Sequence, residues 1–162
     1  FDLMVQLTDD APIIIIEGDE YLSSAIDRTP KIWHYNPHIS IITGIAWDHI
    51  NVFKTFEEYV NAFKVFIEGL NEESKLYYYA GDEDLKKIAA LTKGFKKSYT
   101  ALNAEIVDGK TFAIASNKKK YSLQVFGDHN LANFQAAYLV CSDLGVSSTN
   151  FFNTFIPIFP YF

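Results

Sequence analysis

An α/β domain with a mainly parallel sheet, flanked by helices and carrying a small antiparallel patch, is the fold class this sequence predicts. Three observations predict it. Short strand-like runs alternate with stretches of helical periodicity. The run Ile13-Ile14-Ile15-Ile16 is β-branched with no polar alternation, the composition of a central strand covered on both faces. Residues 99–126 break into three short strand-like runs joined by turn residues.

Taken in order, residues 2–7 read as a strand, and Thr8-Asp9-Asp10-Ala11-Pro12 is turn chemistry. The isoleucine run follows and ends in the acidic stretch Glu17-Gly18-Asp19-Glu20. Residues 39–43 form a second buried strand, leading into Gly44-Ile45-Ala46-Trp47-Asp48-His49. Thr55 with Glu58 has the spacing of a capping box, and Phe56, Tyr59, Val60, Phe63, Phe66 and Ile67 follow helical spacing after it. Residues 75–80, containing Tyr77-Tyr78-Tyr79, read as a strand, and residues 82–91 as a helix capped by Asp82. Runs 99–107, 111–115 and 121–126 make the antiparallel patch. Residues 129–144 form a helix closed by Gly145 at C′. Residues 148–156 form a last short helix, which Pro157 and Pro160 stop from continuing. Residues 1–147 are expected to be one domain, and 148–162 its end or the link to another.

Composition narrows the function classes. Hydrophobic residues make up 49% and aromatics 16% of the 162 residues, enough for a packed core. Fourteen basic and 20 acidic side chains leave a charge of −6, which argues against general affinity for a nucleic-acid backbone. Lys118-Lys119-Lys120 reads as a solvated turn between strands. Cys141 is the single cysteine, so no intrachain disulfide forms, and its apolar helical setting suits a buried thiol. No apolar run approaches the roughly 20 residues that span a bilayer, and no signal-peptide pattern is present. A cytoplasmic origin is expected. The chain opens on Phe1 inside an apolar pattern, so it is expected to be a piece of a longer protein.

Ligands of open α/β sheets bind at the C-terminal ends of the strands. Two such ends carry chemistry here: Glu17, Asp19 and Glu20 at one, Asp48 and His49 at the other. Carboxylates with an imidazole suit a hard divalent cation, although acids after a strand are often plain loop residues. Gly109-Lys110-Thr111 imitates the end of a phosphate-binding loop. Ala104 stands where G-x-x-x-x-G-K-S/T needs glycine, and Asp108-Gly109 is hairpin composition, so the chain holds no such loop. In Gly127-Asp128-His129-Asn130-Leu131-Ala132-Asn133, Asn130 and Asn133 share one helix face. An Asn amide can pair with the N6/N7 edge of adenine, and the alternative is N-capping by Asp128 or Asn130. His34 and His38 flank Tyr35-Asn36-Pro37 and read as surface residues.

In order and spacing these segments resemble the Mur ligase family along nearly the whole chain. Ile16-Glu17-Gly18-Asp19-Glu20-Tyr21 is similar to its strand ending in Glu-Ala/Gly-Asp-Glu. Thr43 to His49 is similar to its strand end closing in Asp-His, and Gly127-Asp128-His129-Asn130 with Asn133 and Ala136-Ala137 to its Gly-x-His-Asn helix start. Lys31-Ile32-Trp33-His34-Tyr35-Asn36-Pro37 looks most like the murein-recycling branch, which joins L-Ala-γ-D-Glu-meso-diaminopimelate to UDP-N-acetylmuramate. UDP-N-acetylmuramate–L-alanine ligases and folylpolyglutamate-type ligases are the alternatives, and a non-catalytic α/β module the non-enzymatic one. The resemblance implies an ATP- and Mg²⁺-dependent ligase working through an acyl phosphate. Glu17 and His49 become Mg²⁺ ligands, and Asn130, Asn133 and His129 lie near adenine. Lys64 is a candidate for the carbamylated lysine that helps hold a second metal, its alternative being a snorkelling surface lysine. Asn51 and Leu22 depart from the Asp that relatives often carry there. The family's phosphate-binding loop, UDP-binding domain and C-terminal domain are expected outside this chain. Without them the fragment is expected to turn nothing over.

Overall fold

The computed structural model describes residues 8–115 and 118–155, so the strand expected at 2–7 lies outside the described residues. A 3₁₀ turn, Lys31–His34, precedes the first sheet. Three parallel strands stand side by side in chain order: β1 (Ile39–Ile42), β2 (Lys75–Tyr79) and β3 (Phe95–Tyr99). Helix α1 (Phe56–Gly69) connects the first pair and α2 (Glu83–Ala89) the second. β4 (Ala104–Val107), β5 (Lys110–Ile114) and β6 (Lys120–Leu123) form a separate antiparallel meander, followed by α3 (Asp128–Asp143) and α4 (Ser148–Phe155). The expected α/β class, with its small antiparallel patch, is the observed one.

Alternation along β2 decides the layering. Leu76 packs with Ile42, Tyr59, Ile67, Leu85 and Ile88, so α1 and α2 cover one face. Tyr77 and Tyr99 turn the other way and meet Ala132 and Ala136 of α3. The tyrosine run is therefore strand composition buried from both sides. The small alanines let α3 approach the sheet closely. From another side, α3 presents Leu131 and Phe134 to Ala113, Tyr121 and Leu123 of the meander, with Phe151 and Phe152 of α4 completing that core. Helix α3 thus serves two cores, which is why no single apolar stripe marks it in the sequence.

Local signals are realised at several element ends. Thr55 Oγ1 accepts the Glu58 N–H at 3.1 Å, and the Glu58 carboxylate reaches back to the Thr55 N–H, the reciprocal capping box. Asp82 caps α2 through Leu85 N–H. Gly145 has φ +86, its N–H donates to Ser142 O, and Val146 N–H donates to Cys141 O, the Schellman closure of α3. Asp108 and Gly109 have φ of 50 and 73 between paired Val107 and Lys110, a type I′ hairpin as expected.

Four expectations need correction. Ile13 to Ile16 form no strand and are 48–92% exposed, because no described strand pairs with them and their apolar faces have nothing to lie against. The run expected at 99–107 is split. Tyr99 ends β3, a strand the sequence reading missed, and β4 begins only at Ala104. Neither Asp128 nor Asn130 caps α3; Gly127 holds the N-cap position at φ +82 with no side-chain bond. Cys141 is half-buried rather than enclosed.

Candidate functional site at the end of the parallel sheet

β1 ends at Ile42, and the loop behind it runs past Gly44 to His49 before α1 starts. Asp82, at the matching end of β2, braces this loop. One carboxylate oxygen takes the Ile45 N–H at 2.5 Å while the other caps α2. His49 occupies the left-handed backbone region at φ +54, uncommon for a residue with a Cβ. Its own N–H donates to Asp48 Oδ1 at 2.6 Å, which helps hold that conformation.

A second segment reaches the same place. Residues 21–31 fold back on themselves, with Leu22 bridged to Pro30 and Lys31 N–H donating to Tyr21 O. Lys31 Nζ holds Asp19 Oδ2 at 2.6 Å; that hydrogen bond keeps the Asp19 carboxyl below its usual range. Trp33 donates its indole N–H to Ala62 O at 2.9 Å and seats the segment on α1. The outcome is a cluster from three parts of the chain. Glu20 Oε1 lies 3.0 Å from His49 Nε2 and accepts the Tyr59 hydroxyl at 2.7 Å. Tyr21 covers the imidazole with ring centroids 4.1 Å apart. Burial, then the bond to Glu20, pushes the Tyr59 hydroxyl above the usual tyrosine range, so it stays a donor.

The structure thus brings His49 to Glu20, whereas Glu17 is exposed three residues upstream. Sequence reasoning placed both acids at one strand end and, from the resemblance, expected Glu17 and His49 as Mg²⁺ ligands, with no role for Glu20 beside the imidazole. The signal for Glu20 was its place beside Tyr21, an aromatic able to shield the pair. Lys64 is half-buried on α1. His129, Asn130 and Asn133 are exposed at the start of α3, and the Asn130 side-chain amide donates to Phe126 O at 2.9 Å. His34 lies exposed against Asp27 at 3.1 Å, and His38 is exposed as well. Among the described residues, no three or more His, Cys, Asp or Glu side chains gather as a ready-made metal cage.

Residues 2–141 match the model of the Mur ligase middle domain. The chain belongs to the Mur ligase family. Curated relatives of this family include a UDP-N-acetylmuramate–L-alanyl-γ-D-glutamyl-meso-2,6-diaminoheptandioate ligase from Haemophilus influenzae, 26% identical over 147 residues, 85% of this chain and 32% of that protein. A UDP-N-acetylmuramate–L-alanine ligase from Clostridium kluyveri is 30% identical over 155 residues, 88% of this chain and 32% of the relative. The chain therefore spans about a third of the length of these Mur ligases. Among solved structures, the UDP-N-acetylmuramate:L-alanyl-γ-D-glutamyl-meso-diaminopimelate ligase from Neisseria meningitides superposes with a TM-score of 0.73 at 17% identity, covering 90% of this chain and 48% of that one. A murein peptide ligase from Psychrobacter arcticus gives 0.65 at 17%, covering 94% and 35%. Identities this low speak for the shared Mur ligase fold. No helix of the described residues is long and apolar enough to cross a membrane.

Proposed function

We propose that this chain is the middle, ATP-side domain of an amide ligase that joins L-alanyl-γ-D-glutamyl-meso-diaminopimelate to UDP-N-acetylmuramate. The observation that carries the reading is the convergence of two family motifs, through Glu20 and His49, at the C-terminal end of a parallel strand. Lys31 to Pro37 supports the peptide-joining branch. Relatives named as L-alanine ligases support the second reading, in which L-alanine is the amine.

In this reading the substrate carboxylate takes the γ-phosphoryl group of ATP, the amine attacks the acyl phosphate, and phosphate leaves. Mg²⁺ would neutralise charge on the transferring oxygens when bound. The donors present fit such a cation. Mg²⁺ prefers one or two protein ligands, with water and phosphate filling the rest, so a carboxylate and an imidazole suffice without a full cage. Glu17 and His49 would hold it, Lys64 would supply a carbamate oxygen, and His129, Asn130 and Asn133 would face adenine. Phosphate contacts would come from a phosphate-binding loop outside these residues, so the 162-residue chain alone is expected to bind nucleotide weakly and to ligate nothing.

The test is ATP- and Mg²⁺-dependent phosphate release by the intact protein with UDP-N-acetylmuramate and either amine. Release with the tripeptide supports the first reading, and release with L-alanine alone transfers the assignment to the second. If neither amine elicits phosphate release, the ligase reading fails.

A further inference from the structure

Glu20 makes contacts that its neighbours Glu17 and Asp19 do not. Its Oε1 receives two groups, the Tyr59 hydroxyl at 2.7 Å and His49 Nε2 at 3.0 Å. The Glu20 and His49 side chains are only 16% and 23% exposed, which separates them from an ordinary surface ion pair. Tyr59 comes from the first turn of α1 and is 4% exposed, so the carboxylate is anchored to a helix with a capped start. Tyr21 lies over the ring and limits its rotation. On the other side of the imidazole, Asp48 Oδ1 lies 3.9 Å from Nδ1, beyond hydrogen-bond reach and already taken by a backbone N–H.

A neutral imidazole has one N–H and one lone pair. A carboxylate only accepts, so the nitrogen facing it must carry the proton. We propose that Glu20, held by Tyr59, is a positioning residue that fixes His49 with its proton on Nε2 and turns Nδ1 outward as the nitrogen that meets a cation. The inference rests on the cation reading given above and adds to it the residue that sets the tautomer and aim of the imidazole. The second ring nitrogen of a metal-binding histidine commonly donates to a carboxylate in this way, and loss of that partner weakens metal affinity about 10–100-fold. Tyr59 extends the chain of contacts by one link, so α1 itself holds the imidazole in place.

Two measurements on the intact protein separate the possibilities. The first is ¹⁵N NMR of histidine-labelled protein without metal, His49 being assigned by comparison with His49→Ala. The Nε2–H tautomer is expected in the wild type and a mixture in Glu20→Gln. A wild-type Nδ1–H tautomer overturns the inference whatever the variants do. The second is Mn²⁺ binding followed by electron paramagnetic resonance. Glu20→Gln is expected to weaken binding about ten-fold and Tyr59→Phe by less, with His49→Ala losing the most. Unchanged Mn²⁺ affinity in His49→Ala removes the cation reading and the inference built on it. A large loss in His49→Ala with none in Glu20→Gln leaves the cation reading standing and overturns the positioning role alone.

Discussion

In the parallel half of the molecule, β2 is covered on both faces, by α1 and α2 on one and α3 on the other. In the antiparallel half, β6 alternates buried and exposed residues, and β4 leaves Ile106 75% exposed. The parallel half ends β1 and β2 in loops that carry His49 and Asp82, and Glu20 from an earlier segment meets His49 there. The meander joins β4 to β5 by a two-residue turn with no room for such a loop. Its interior is instead an aromatic cluster in which Tyr121 and Phe134 stack on Phe152 and Phe151 meets Phe134 and Phe152 edge-on. Sheet type thus separates chemistry from anchorage: crossover connections leave strand ends free for polar groups, and hairpins consume them.

The largest effect that would sharpen this division comes from Phe152→Ala. Phe152 is 1% exposed and stacked on Tyr121 with centroids 4.6 Å apart. Truncation is expected to cost about 3–5 kcal/mol in urea unfolding. The His49 tautomer should be unchanged in the protein that remains folded; a shift there would show that the two halves are coupled. Next in size, Thr55→Ala removes the cap of α1 and should cost about 1 kcal/mol. Because Tyr59 sits one turn on, this variant should also weaken Mn²⁺ binding, whereas an equally destabilising change in the meander should not.

The smallest effect concerns Tyr99, whose hydroxyl is buried without a hydrogen-bond partner. Burial pushes it up to about 12, whereas an unfolded tyrosine ionises near 10. Between those values the unfolded chain releases the proton first, so stability is intact below pH ~10 and falls as pH rises toward about 12. Tyr99→Phe should make that alkaline slope shallower, Tyr59 and Tyr77 keeping their own shares, and leave stability at pH 7 within about 1 kcal/mol of wild type, since an unpartnered hydroxyl is lost. A marked loss at pH 7 would mean that the hydroxyl has a partner.

Legibility followed the range of the interactions. The capping box of Thr55 and Glu58, the Asp108-Gly109 turn and the Gly145 closure are local chemistry, and each was readable in a few residues. β3 was not. Phe95-Lys96-Lys97-Ser98-Tyr99 carries lysines along an exposed edge of the sheet and has no β-branched residue to mark it. The isoleucine run misled in the opposite sense, since composition says what a segment could bury but not what lies beside it. At the site, both motifs were visible in the sequence. The contact of Glu20 with His49 was not, because it depends on the fold-back of residues 21–31 and on the indole bond that seats it on α1.

Helix α3 carries one further consequence. It touches the parallel sheet through Ala132 and Ala136 and the aromatic core through Leu131 and Phe134. Inserting or deleting one residue turns everything downstream by about 100°. In a helix with one apolar side, slippage can be absorbed by sliding along that side. Here any rotation that restored one contact surface would spoil the other. The spacing from Leu131 to Ala136 therefore behaves as a fixed gauge, like the pitch of a screw engaged in two nuts.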